Sequence, residues 1–299
     1  MLFLCVEKLK LIITSYNNYL CTVEDVNKIF TKFDDSHDEL VNQGFIKKSI
    51  FPIDVLNSLN TAITQEMKNE KIAFYYSGQD SSIERKKYFY KLVLDMLEPY
   101  VDNMFNNYRI SRIAIIIKGL GKNSSCDIHA DDNSFDEINY FPINIWTPLI
   151  SSDVKNGTLN IVPKSHKYIS KVRGYGIPKA YSNFKLELKP KGVQQITDLG
   201  ESIVYHPGVL HFSNENQSET MRVAIVLGLA PKNKQQLVYH GINKWYGLKI
   251  YKMKMELDEY LYWDEKSILK NNIIGSFLYN KQESDKKSVI NYLNLKEIK

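Results

Sequence analysis

Cys126-Asp127-Ile128-His129-Ala130-Asp131-Asp132 opens the part of the chain that decides the fold. Leu210-His211-Phe212-Ser213 and Met221-Arg222-Val223-Ala224-Ile225-Val226-Leu227 close it. Each polar group stands at the edge of an apolar, strand-like run. In a strand, residues i and i+2 face the same side, so His129 and Asp131 can aim an imidazole and a carboxylate at one point. A third donor has to come from another strand, and His211, 82 positions on (211 − 129), begins one. Arg222 starts a further apolar run.

Working outward, Arg112–Lys118 is a short Ile-rich run that predicts a buried strand, turned by Gly119 and Gly121 toward the His-x-Asp segment. Phe141–Leu149, Gly157–Val162, Gln194–Thr197, Ser202–Tyr205, His211–Ser213 and Arg222–Leu229 read as further strands. Turn chemistry separates them at 151–157, Gly200, Pro207-Gly208 and 214–216. Many short strands with turns between them argue for an all-β barrel or jelly roll. Residues 166–192 hold Gly174, Gly176, Pro178 and Pro190 with three tyrosines, and are too long for an ordinary connection; a lid or an unstructured loop is expected there.

The N-terminal third reads as helical. Thr22 is a candidate helix cap, Gly44-Phe45-Ile46 a short strand, and Pro52 sits where a helix would begin. Val55, Leu56, Leu59, Ile63 and Met67 follow at helical spacing. Residues 71–82 are polar and read as a loop. Tyr88, Leu92, Met96, Tyr100 and Met104 recur every four residues, and Phe89, Val93, Leu97, Val101 and Phe105 do so one position on. This is an amphipathic helix, with a kink or break expected at Pro99; such a stripe is a packing face rather than a cofactor box. Near the other end, Tyr251, Met255, Leu257, Tyr260 and Leu261 suggest a helix outside the barrel. No repeat or linker divides the chain, so one catalytic domain over 1–299 is expected, with a helical part at 1–108, a β core at 109–232 and an extension at 233–299.

The composition suits an ordinary buried core: 299 residues, 43% hydrophobic, with a formal charge of +5 spread over mixed acidic and basic positions. Nucleic-acid binding would want a concentrated basic face, and none is visible. No stretch approaches the ~20 apolar residues of a membrane helix. Cys5, Cys21 and Cys126 are odd in number and widely spaced, which suggests no disulfide framework and fits a reducing cytoplasm. The oligomeric state is not encoded in any visible pattern.

Two His and one carboxylate on one side of an ion leave coordination positions open, the arrangement that suits non-haem Fe(II) oxygenases. Open positions can take a 2-oxo acid in chelation, and another O2. The far carboxylate of the 2-oxo acid calls for a bidentate cation, which is work for Arg222 rather than a lysine. His206 competes with His211 as third ligand, but it ends a strand before Pro207-Gly208, whereas His211 begins one; His211 is favoured. His206 and His166 read as structural, and Asp132 should face away from Asp131.

The region resembles the phytanoyl-CoA dioxygenase family of Fe(II)/2-oxoglutarate oxygenases. The resemblance lies in Gly44-Phe45-Ile46, His129-Ala130-Asp131, Asn144-Ile145-Trp146-Thr147-Pro148-Leu149 and Asn156-Gly157-Thr158-Leu159-Asn160-Ile161-Val162-Pro163-Lys164-Ser165-His166-Lys167. It continues through Gly200-Glu201-Ser202-Ile203-Val204-Tyr205-His206-Pro207 to His211 and Arg222. Lys164 departs from it, since the family usually has Gly before Ser-His. The resemblance implies a mainly β, double-stranded β-helix core with N-terminal helices on the sheet and a C-terminal helical extension. It implies metal ligation by His129, Asp131 and His211, and 2-oxoglutarate held by Arg222 with Lys118, Trp146 and Ser213 lining its pocket. Related halogenating enzymes lack the carboxylate of the triad, so Asp131 argues for hydroxylation, with O2 consumed and succinate and CO2 released.

The substrate would be a small molecule. Lys164, Lys171, Arg173 and Lys179 near the expected lid could attract an anion, although such residues are more often plain solvated charges. Two other classes compete: a β-helix metalloenzyme using no 2-oxo acid, against which Arg222 argues, and a non-catalytic binding module, against which the complete ligand set argues.

Overall fold

The computed structural model describes residues 36–137, 139–255, 273–279 and 282–293. The expected cap at Thr22, and Leu257–Leu261 of the expected C-terminal helix, lie outside them. α1 (Ser36–Gln43) leads into β1 (Phe45–Ser49), and α2 (Ile53–Glu66) starts directly after Pro52. β2 (Phe74–Tyr76) falls in the stretch read as a loop. α3 (Ile83–Met104) is capped by the Ser82 side chain, which accepts from Arg85 N, and it continues through Pro99 without a break.

β3 (Tyr108–Lys118), β5 (Ile143–Pro148), β9 (Glu201–Tyr205) and β11 (Arg222–Pro231) form the middle of one sheet, in the order β1-β9-β5-β11-β3-β2. β4 (Cys126–His129), β6 (Leu159–Ile161), β8 (Val193–Gln194) and β10 (His211–Ser213) form the facing sheet, in the order β4-β10-β6-β8. The chain therefore passes back and forth between two antiparallel sheets, which is the double-stranded β-helix. The strand expected over 194–197 is shorter, and Thr197 makes only an isolated bridge to Ser152.

The apolar pattern explains the layering. Ile113, Ile115 and Ile117 of β3, with Val223, Ile225 and Leu227 of β11, face the helices, where Phe89, Val93, Leu97 and Val101 of α3 are buried against them. The second of the two α3 stripes is thus the core stripe. Each such side chain contributes about 1.5–3 kcal/mol of burial. The other face of the same sheet packs Ala114, Trp146, Ile203, Ala224 and Val226 toward the facing sheet. Because both faces are covered, β3 reads in sequence as a continuous apolar run rather than an alternating one.

Past the β core, β12 (Gln236–Lys244) and β13 (Gly247–Met255) make a hairpin, and β14 (Ile273–Leu278) pairs with β13. Residues 251–255, expected to begin a helix, are strand instead: Ile250 and Met253 are buried by sheet packing, which overrides the helical spacing. α5 (Gln282–Leu293) supplies the helical part of the extension. β7 (Gly174–Tyr175) joins this third sheet, parallel to β12. β7 lies inside the segment expected to be a lid or loop. That segment is packed, with Ile169, Val172, Arg173, Ile177, Tyr181 and Leu188 all buried, and it includes the short helix α4 (Lys185–Leu188).

Candidate metal centre

β4 and β10 pair antiparallel with His129 opposite His211, so the two imidazoles stand side by side, 4.2 Å between ring centroids. The register shifts just beyond this pair, a bulge of the kind that re-aims side chains beside active sites. Asp131 is not on the strand. β4 ends at His129, and Asp131 is brought back by backbone bonding instead: its N–H donates to Pro207 O (3.0 Å) and its carbonyl accepts from Arg173 Nε (2.7 Å). Asp131 Oδ1 lies 3.8 Å from His129 Nε2 and 3.9 Å from His211 Nε2. Among the described residues these three form a group of metal-competent donors whose ligand atoms all lie within 4.8 Å of one another.

The tautomers suit a metal. His129 Nδ1 lies 2.8 Å from Asp127 O, and His211 Nδ1 lies 3.0 Å from Val209 O. A carbonyl can only accept, so each Nδ1 carries a hydrogen, and each Nε2 is the ring nitrogen that faces Asp131 Oδ1. Beside this one carboxylate the two imidazoles are shifted in opposite directions. Burial disfavours protonation of His129, but Cys126, Asp131 and the Asp127 carbonyl together push it up to about 9. Burial and then the neighbouring His129 push His211 down to about 4. Asp131 is half-buried, which by itself would raise its carboxyl, yet His211, Arg112, His129 and the Tyr205 hydroxyl hold it below the usual range.

The inward face of the large sheet can be followed row by row. Arg112, Gly228, Asn144 and Tyr205 are successive cross-strand partners over β3, β11, β5 and β9. Ala114, Val226, Trp146 and Ile203 form the next row on the same face, and Lys118 and Arg222 pair at the far end of β3. Asn144 Nδ2 donates to Asp131 Oδ2 (2.7 Å), Tyr205 OH donates to the same oxygen (3.1 Å), and Arg112 Nη2 lies 3.7 Å from Oδ1.

Arg222 is buried, with its guanidinium carbon 5.2 Å from the centre of the Trp146 ring. Nη1 donates to Gly157 O (2.8 Å), while Nε has no hydrogen-bond partner. Gly157 has φ +72, and a Cβ there would stand 2.5 Å from Asn214 O, so glycine is what lets its carbonyl reach Arg222. Lys118, beside Arg222 in register, points its ammonium at Ser124 O (2.6 Å) and Asn214 O. Burial, then the Arg222 charge, lowers it to about 7.

His129, Asp131, His211, Trp146, Ser213 and Arg222 all line one cavity of about 550 Å³. Its remaining wall includes Phe74, Tyr76, Tyr175, Val238 and Tyr239, so β2 and the third sheet both reach the site. Lys118 does not line it. His206 stands apart from the three donors: its Nδ1 accepts from Gly208 N (2.9 Å) and its ring packs on Phe141. His166 Nε2 bonds Val41 O (3.0 Å). Of the basic cluster near the expected lid, Lys179 pairs with Asp132 (3.2 Å) and Arg173 with Glu137 (2.6 Å).

The family model described as phytanoyl-CoA dioxygenase (PhyH) matches residues 69–224, more than half of the chain. The chain belongs to the phytanoyl-CoA dioxygenase family. No curated protein sequence matches it significantly. Among solved structures, the non-heme alpha ketoglutarate dependent carbocyclase SnoK from nogalamycin biosynthesis superposes with a TM-score of 0.50 at 14% identity, over 75% of this chain and 88% of that one. HygX from Streptomyces hygroscopicus, with nickel and 2-oxoglutarate bound, gives 0.49 at 13% identity, over 68% and 88%. EctD from S. alaskensis in its apoform gives 0.46 at 15% identity, over 74% and 80%. At 14% identity the likeness to SnoK is one of fold, and it agrees with the two-sheet winding described above.

Arg112, Asn144 and Tyr205 were not singled out by sequence reasoning. Arg112 carried a signal: it is a charged residue in phase with Lys118, with only apolar residues between the two. Asn144 is the second residue of β5 and Tyr205 the last of β9, and only the β5–β9 register shows that they meet.

Proposed function

We propose that this family member is an Fe(II)- and 2-oxoglutarate-dependent dioxygenase that hydroxylates an aliphatic C–H of a small molecule. Substrate C–H, O2 and 2-oxoglutarate would give alcohol, succinate and CO2, with one oxygen atom entering the alcohol and the other the succinate. His129, Asp131 and His211 would hold the iron, which supplies the redox chemistry coupling decarboxylation to oxygen insertion. His129 and His211 are preset for this because their Nδ1 hydrogens are already committed to backbone carbonyls.

The observation that carries the co-substrate is Arg222. A guanidinium buried with one nitrogen unpartnered calls for an anion. The distal carboxylate of 2-oxoglutarate would meet it through two parallel hydrogen bonds. Trp146 beneath the guanidinium and Gly157 O on Nη1 fix the direction in which that fork points. Ser213, on β10 two residues past His211, lines the same space. Substrate would enter against Phe74, Tyr76, Tyr175 and Tyr239, an aromatic wall suited to excluding water from the reacting carbon. Lys179 would be open to an anionic substrate only by exchange with Asp132.

Anaerobic titration with Fe(II) and 2-oxoglutarate, read by visible absorption, tests the reading. A chelate charge-transfer band is expected in the wild type and only weakly in Arg222→Ala at the same 2-oxoglutarate concentration. No band in the wild type would overturn the proposal. Iron binding without the band would leave a metalloprotein of another kind. Succinate release with a one-oxygen mass gain across candidate small molecules then identifies the substrate.

A further inference from the structure

Asp131 has two carboxylate oxygens in different surroundings. Oδ1 faces both imidazole Nε2 atoms. Oδ2 faces the other way, toward the amide of Asn144 (2.7 Å) and the hydroxyl of Tyr205 (3.1 Å). An ionised carboxylate only accepts, so the Asn144 atom turned to it must be the NH2 group. From this we infer that Asn144 and Tyr205 are positioning residues that hold Asp131 as a one-oxygen ligand. Two donors occupy Oδ2, and Oδ1 alone remains for the metal. The inference rests on the metal-centre reading above.

The fold builds this arrangement deliberately into one cross-strand row. Asn144 and Tyr205 are direct partners in the β5–β9 register, so their side chains rise from the same face. The next residue in the row, Gly228, keeps that face open: a Cβ there would stand 3.2 Å from Asn144 Oδ1 and 3.1 Å from Arg112 Cβ. A side chain there would crowd the Asn144 amide and Arg112, each of which would have to give by a few tenths of an ångström. Asp131 itself sits past the end of β4, where its backbone could otherwise turn, but Pro207 O and Arg173 Nε hold that too. Both the main chain and the side chain of this residue are therefore fixed from outside the ligand set.

The consequence concerns denticity. A free carboxylate can swing to offer both oxygens, taking one more coordination position. Tying Oδ2 to two donors opposes that swing and keeps the position for a chelating co-substrate. Partners of ligating groups typically matter 10–100-fold in metal affinity.

The test uses Mn(II) and Co(II) on the apoprotein, with no co-substrate and no turnover. Affinity is measured by calorimetry, and the asymmetric and symmetric carboxylate stretches by infrared difference spectra of the bound and metal-free protein. Tyr205→Phe keeps the ring and removes one oxygen, so it should fold like the wild type; Asn144→Leu removes the amide. Each is expected to weaken metal binding about tenfold and to narrow the separation between the two stretches, as Asp131 turns two-oxygen. Thr147→Val is the control: it deletes a buried bond between the same two strands, Thr147 Oγ1 to Ser202 Oγ (2.8 Å), without touching Asp131. It should lose stability and keep both readouts. Wild-type affinity and an unchanged stretch separation in Tyr205→Phe and Asn144→Leu would overturn the inference. Failure of the wild type to bind either ion would instead overturn the metal-centre reading.

Discussion

The two ends of the cavity floor are built on opposite terms. At the Asp131 end, the three donor residues are themselves matched inside the protein: Oδ2 has Asn144 and Tyr205, the Asp131 backbone has Pro207 and Arg173, and each histidine Nδ1 has a carbonyl. At the Arg222 end a buried guanidinium keeps one nitrogen without a partner. The first pattern is what a permanently preorganised centre needs, since partly satisfied buried networks are costly. The second is the pattern expected where an arriving ligand completes the set. On the function proposed above, the difference would separate the groups that hold the metal in place from the group that waits for the co-substrate to arrive.

The largest expected effect breaks the preorganised end directly. His129→Ala, Asp131→Ala and His211→Ala should each abolish Fe(II) binding in anaerobic calorimetry while the far-ultraviolet circular dichroism is retained. His206→Ala should keep the metal, because His206 serves Gly208 and packs on Phe141. Iron loss in His206→Ala alone would reassign the ligands.

Next comes the support beneath that end. Arg173 is buried and joins Glu137, Ser170 O and the Asp131 carbonyl. Arg173→Met strands a buried carboxylate and should cost about 3–5 kcal/mol in chemical denaturation. The double variant with Glu137→Gln removes both charges and should recover part of that loss. Because Arg173 ties residues 170–175 to the ligand loop, residues 166–192 should resist protease even without ligands. Rapid cleavage there in the apoprotein would restore the reading of this segment as a mobile lid.

Breaking the waiting end should leave the metal alone. Arg222→Ala is expected to cost about 2–5 kcal/mol in 2-oxoglutarate binding, by analogy with truncated buried charge pairs. That is about 30-fold or more in apparent KM at ~1.4 kcal/mol per tenfold. Arg222→Lys keeps charge without the fork and should fall between. The Fe(II) dissociation constant should not move in either. An unchanged KM in Arg222→Ala would make Arg222 a structural residue.

How much of this was legible follows from which interactions are local. The α3 stripe, the Ile-rich β3 and the turns between strands are set by neighbours in sequence, and they marked the β core and its helical cover. His129, Asp131, His211 and Arg222, which line one cavity, stand out in the sequence because their chemistry is unusual beside apolar runs. The reason Asp131 reaches the site was not: the i, i+2 rule does not apply past the end of β4, and Pro207 and Arg173 do the work. β2 was read as loop because Phe74–Tyr76 is too short to show alternation and becomes strand only by pairing with β3. The strand at 247–255 was hidden for a similar reason, since Tyr251 and Met255 mimic helical spacing and only the hairpin with β12 decides the matter. Lys164 shows the reverse. It stands where the family usually has Gly, and its φ of +65 gives the backbone reason for that preference.

The smallest effect sharpens the comparison at a single position, Lys118. It neighbours Arg222 across β3 and β11, and charge alone would make it a second anchor for an anion. Its ammonium, however, donates to Ser124 O and Asn214 O and does not line the cavity. Lys118 thus belongs to the satisfied kind of group although it sits at the waiting end. Lys118→Met keeps the stem and removes the donors, leaving the Ser124 carbonyl without this partner. It should cost about 1–3 kcal/mol of stability. The apparent KM for 2-oxoglutarate should rise by only a few-fold, from the lost charge at a distance. The decisive measurement is the ratio of the two effects in Lys118→Met and Arg222→Ala. A KM increase in Lys118→Met as large as that in Arg222→Ala would mean that the lysine leaves its carbonyls to meet the co-substrate, and that the waiting end has two cations rather than one.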